Sequence, residues 1–188
     1  MLLPFPRETE MAAAFFREAA RHLQDARILH RSKRHPGSIT SAMKAVELGL
    51  KSVLLLHGAR SWLDSALQTH GVLAEINKTP QLTQSLLNAI SSHDAQLPAD
   101  IELLEQLTPF KPDIKKLEIS QAANTEYPFF AFVPGAPPIS TFQLYTPEQY
   151  YSLADSEKYF QTAHRTLSAL QQLSPEVRKW KVRLCQPL

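Results

Sequence analysis

The stretch from Ala42 to Gly58, AMKAVELGLKSVLLLHG, constrains the fold of this chain more than any other. Together with the residues just before it, it places Ile39, Met43, Val46, Leu50, Val53 and Leu54 mainly three and four positions apart, the spacing of one buried helical face. Glu47 and Lys51 interrupt this apolar run one helical turn from each other. A second stripe precedes it: Ala12, Phe15, Ala19, Leu23 and Ala26 predict a helix from about Glu8 to Lys33. Pro36-Gly37 is read as the break between the two, Ser38 as the N-cap of the second helix, and Gly58 as its end. Two long amphipathic helices joined so closely form an antiparallel hairpin, the unit from which helical bundles are built.

The remaining chain continues the pattern. His70 to Lys78 predicts a short helix ended by Thr79-Pro80, and Leu82, Leu86, Leu87 and Ile90 mark another. Ile101, Leu103, Leu104 and Leu107 mark a third, with Asp100 as its cap. From 111 to 146, Pro112, Pro128, Pro134, Pro137 and Pro138 impose a long irregular segment, with a small hairpin expected between Phe129–Val133 and Ile139–Leu144. Loops of this length in compact domains commonly carry function or contacts. A last helix is expected from Thr146, with Pro147 at its first position and Leu153, Phe160, Ala163, Leu167 and Leu170 as its stripe. The predicted fold is all-α: an up-and-down antiparallel bundle over residues 1–174, a proline-rich loop before the last helix, and a basic tail over 175–188.

Composition removes several functions. Five scattered glycines make neither a phosphate loop nor a dinucleotide fingerprint. There is no Gly-x-Ser-x-Gly elbow, and no glutamate has a histidine three residues later, so a bundle-held di-iron site is not expected. The single cysteine, Cys185, forms no intramolecular disulfide and suits a reducing cytoplasm. No metal, cofactor or membrane span is expected.

The charge is small overall, +2, but unevenly placed. Between Arg17 and His35 lie six cations (Arg17, Arg21, Arg27, Arg31, Lys33 and Arg34) against two acids, together with His22, His30 and His35. The tail adds Arg178, Lys179, Lys181 and Arg183, while the span from Asp94 to Glu126 is acidic. Such separation can steer a phosphate-rich ligand to one part of a molecule.

The order of elements resembles that of the HEPN family, small helical domains of prokaryotic toxin and nucleotide-related systems. The resemblance rests on the first helix with EAARHLQDARIL, a second with Ala45, Glu47, Leu50 and Lys51, His70 in THGVL, leucine-rich middle helices, Tyr127-Pro128, and a last helix with Ala154 and Ala163. It implies a homodimer and a ligand that is RNA, a nucleotide or a partner protein, in a defence or toxin–antitoxin setting. The ligand-binding candidates are Arg31, Arg34, Glu47, Lys51, His70 and Tyr127. HEPN ribonucleases carry Arg-x4–6-His in their later helices, yet no arginine lies between Arg60 and Arg165. Arg17 and His22 have that spacing, but in the first helix and on different faces. Glu126 also stands where relatives commonly place an arginine before Tyr-Pro. The resemblance therefore implies a non-catalytic binding module. Its alternatives are a metal-independent ribonuclease with a non-standard site, drawing on His70, His164 and Arg165, and a structural dimerisation domain using Tyr145, Tyr150 and Tyr151.

Overall fold

The computed structural model describes residues 6–57, 80–105, 129–132 and 142–188. Helices α1 (Pro6–Arg31) and α2 (His35–Leu56) form the expected hairpin. Two buried hydroxyls show its direction: Ser38 Oγ donates to the Ala26 carbonyl (2.8 Å) and Ser52 Oγ to the Ala12 carbonyl (2.6 Å), so the helices run antiparallel. Ser38 is therefore an interhelical donor and not a cap. Pro36 lies in the first turn of α2, where a missing N–H costs nothing, so Pro-Gly opens the helix instead of breaking one. The reversal is made by Lys33 at φ 59°, with Arg34 N–H on the Leu29 carbonyl and Lys33 N–H on the His30 carbonyl. This is a Schellman ending with lysine where glycine is usual.

Helices α3 (Pro80–His93) and α4 (Leu97–Glu105) follow, and Pro80 is the first residue of α3. Asp100 lies within the first turn of α4 and does not cap it. The hairpin pairs β1 (Phe129–Phe132) with β2 (Phe142–Tyr145), antiparallel from Phe129↔Tyr145 to Phe132↔Phe142. Residues 139–141, where the second strand was expected to begin, lie outside the described residues. The expected last helix is split. A single turn, α5 (Pro147–Tyr150), is followed by α6 (Leu153–Leu173), whose own start is made by Ser152 and Asp155 in a reciprocal capping box. Leu153, expected in the buried stripe, sits outside it at 54% exposure. A short α7 (Pro175–Lys179) completes the helices among the described residues.

The result is an all-α bundle around Phe16, Leu23, Ile39, Leu50, Phe160 and Leu167, all essentially without solvent contact. Phe16, rather than its neighbour Phe15, fills the core. Gly49 lets α6 approach α2: a Cβ there would overlap Leu167 and touch Leu170 at 3.3 Å. His35 and Gly49 of α2 meet Ser156 and Leu167 of α6 in the same order, so these two helices run parallel while α1 opposes both. No helix among the described residues is long and apolar enough to cross a membrane.

Candidate nucleic-acid interface

The basic tail is not loose. Trp180 packs on Phe16 (ring centroids 6.1 Å apart), and Val182, Leu184, Cys185 and Leu188 are partly buried on the core. Two side chains of α6, one heptad apart, hold the tail backbone: His164 Nε2 on the Cys185 carbonyl (2.9 Å) and Gln171 Nε2 on the Val182 carbonyl (2.7 Å). The Cys185 thiol donates weakly to the Leu23 carbonyl at 3.8 Å. Burial raises the pKa of that thiol, against the pull of nearby Arg27 and Arg31. The tail thus runs along α1 from Phe16 past Leu23 toward Arg27, a row at i, i+7 and i+11 on one helical face.

This docking joins the two basic segments that the sequence keeps about 150 residues apart. Arg17, Arg31, Lys33 and Arg34 are exposed on α1 and its turn, and Arg178, Lys181 and Arg183 on α7 and the tail. Among the described residues none of these seven has a carboxylate within ion-pair distance. Arg27 of α1 is half-buried, its Nε without an acceptor among the described residues. Several other cations are answered, although among the described residues exposed Lys44 has no ion pair and Lys158 meets only the Tyr159 ring. Arg21 bridges Glu18 and Asp25, Lys179 meets Glu176, and Lys51 meets Glu47. Arg165 reaches Asp94 and Asp100 across the bundle.

The sequence candidates separate accordingly. Arg31 and Arg34 fall on the shared basic face. Lys51 is 6% exposed, its ammonium on Glu47 inside the bundle, so neither is offered to a ligand at that face. Arg165 donates from Nε and Nη2 to Asp94 and from Nη1 to Asp100, which holds the Asp94 carboxyl below its usual range. His164 is occupied by the tail and turned from its neighbour. The pair therefore does not converge. Tyr150 is exposed but Tyr151 is buried, its hydroxyl without a partner among the described residues and its pKa raised chiefly by burial. These two tyrosines therefore do not form one exposed aromatic patch. His70, Tyr127 and the helix expected over 70–78 lie outside the described residues. Among the described residues, no three His, Cys, Asp or Glu side chains gather as a metal site would need.

One cluster escaped the sequence reading. His30 ends α1, His35 begins α2, and both Nδ1 atoms meet the Oγ of Ser156 on α6, at 2.7 and 3.0 Å. The only sequence sign was two histidines flanking the turn; Ser156, over 120 positions later, gave none. No protein-family model, no curated protein and no solved structure matches the chain.

Proposed function

We propose that this chain is a HEPN-like helical module that binds RNA without cleaving it through the Arg165–His164 region, in a cytoplasmic defence or toxin–antitoxin setting. One observation carries the RNA reading: the tail and α1 lie together and pool cations that have no carboxylate partners. Counter-charges are present elsewhere in the molecule, so their lack on this face favours an external polyanion as the partner. Exposed arginines suit phosphodiesters because a guanidinium presents several donors in a fixed plane. The engagement of Arg165 by two aspartates supports a non-catalytic role for that arginine, since it is not available to stabilise a reacting phosphate.

The test is anisotropy of a fluorescein-labelled oligouridylate over a salt series. Replacing Arg31 and Arg34 together with alanine is expected to weaken binding and to lower the salt slope by up to about two. An unchanged affinity and slope would move the ligand elsewhere. We further propose that the module is a homodimer, the commonest symmetric state. Light scattering is expected to give twice the chain mass of 21.2 kDa, and a monomer at all concentrations would refute it.

A further inference from the structure

Ser156 has no exposed surface, and its single oxygen meets three partners: the Leu153 carbonyl (3.0 Å), His30 Nδ1 and His35 Nδ1. A hydroxyl has one proton to give and two lone pairs to offer. The contacts close in one way. Ser156 donates to Leu153, and each imidazole donates its Nδ1–H to Oγ. That tautomer leaves both Nε2 atoms as the bare edges, and neither has a hydrogen-bond partner among the described residues. The rings lie edge to face, 6.2 Å between centroids, each half-buried where α1 turns into α2. Exposed Arg31, Lys33 and Arg34 adjoin them in the chain, at one end of the basic face.

We propose that His30 and His35 form a proton-gated phosphate subsite, oriented by Ser156, that grips an RNA backbone phosphate when the imidazoles are protonated. The proposal rests on the RNA reading above and adds a regulation to it. Protonation puts a hydrogen on Nε2 without disturbing the Nδ1 contact, so the half-buried ring gains a charge-assisted donor on the edge opposite Ser156 and keeps its place. The charged groups facing His30 are Arg31 on its own helix, His35 from α2 and Glu157 from α6. Burial, then His35 and Arg31, lower the pKa of His30 from its ordinary 6.5, and Glu157 opposes them. The empty site therefore favours the neutral ring. A phosphate placed against Nε2 reverses the balance, because an opposite charge favours the charged form. Binding then takes up protons, and affinity rises as pH falls.

The experiment measures oligouridylate affinity at constant ionic strength at pH about 8 and about 5.5, for the native chain and for His30→Asn/His35→Asn. Asparagine places an amide N–H near the position of Nδ1, so the contacts to Ser156 persist while titration is lost. The native chain is expected to bind about tenfold or more tightly at the lower pH, one pKa unit of linkage, and the double variant to change much less. Because other histidines also titrate, an equal pH response in the variant overturns the subsite and leaves the RNA reading standing. No binding by the native chain at either pH overturns the RNA reading itself. Should the variant fail to fold, NMR titration of the imidazole protons in the native chain decides. Midpoints for His30 and His35 that rise when oligouridylate is added support the subsite, and unmoved midpoints overturn it.

Discussion

Arg165 on α6 and Arg31 on α1 carry the same side chain in opposite surroundings. Arg165 lies among acids, its guanidinium split between Asp94 at the end of α3 and Asp100 in α4. It fastens three helices to one another. Arg31 has no carboxylate partner among the described residues, and it adjoins Lys33 and Arg34 of the turn with Cys185 of the tail nearby. Like charges left together cost stability through repulsion, so a fold that answers Arg165 fully and leaves several cations unpaired around one turn and tail invites a separate account of each set. The paired set holds the bundle, and the unpaired set is the one that the proposed reading assigns to a polyanion.

The sharpest way to break this division is to remove a paired cation and look for a loss of binding. Lys51 is the most buried of them, and its removal takes the ammonium from Glu47 inside the bundle. Lys51→Ala is expected to cost about 1–3 kcal/mol of stability, the scale of losing one charged hydrogen-bonding partner in a largely buried pair. Urea unfolding would read the loss. Oligouridylate affinity of the folded protein is expected to stay unchanged. A stable Lys51→Ala chain that no longer binds would return Lys51 to the ligand site.

A second test removes no charge at all. Trp180 anchors the tail on Phe16, and Lys181 and Arg183 are carried onto the basic face by that anchor. Trp180→Ala is expected to cost about 2 kcal/mol, less than a fully buried aromatic because Trp180 is only partly covered. It should also weaken RNA binding several-fold, although every cation remains. Unchanged affinity in a chain whose tail is released would show that α1 and its turn suffice.

The sequence disclosed the helices because their evidence is local. Ala12 to Ala26 and Ile39 to Leu54 repeat at helical spacing, and both helices are present. It disclosed the two basic segments for the same reason. Their union was hidden, because the contacts that dock the tail are single long-range events: His164 on the Cys185 backbone, Trp180 on Phe16. The misread starts of α2 and α3 share a cause. Proline marks a helix start as readily as an end, and Pro36 and Pro80 each stand near a start. The Ser156 cluster has no spacing signature at all. Its three residues come from three helices, and only packing brings them together.

The finest test of the comparison is one in which stability and binding move in opposite directions. Lys33 occupies the left-handed position of the Schellman ending, φ 59°, where a Cβ crowds the following carbonyl. Glycine removes that crowding but loosens the unfolded chain, which offsets part of the gain. The net expectation for Lys33→Gly is about 0.5–1 kcal/mol of added stability, read as a higher thermal midpoint. The same substitution takes one unpaired cation from the turn beside Arg31 and Arg34. If Lys33 contacts a phosphate, the salt slope should fall by about 0.7, the value for one contact on a single strand. A lysine retained in a strained conformation for an external ligand gives both changes. If stability and affinity both rise, the turn is not part of the RNA face, and the unpaired charges there need another explanation.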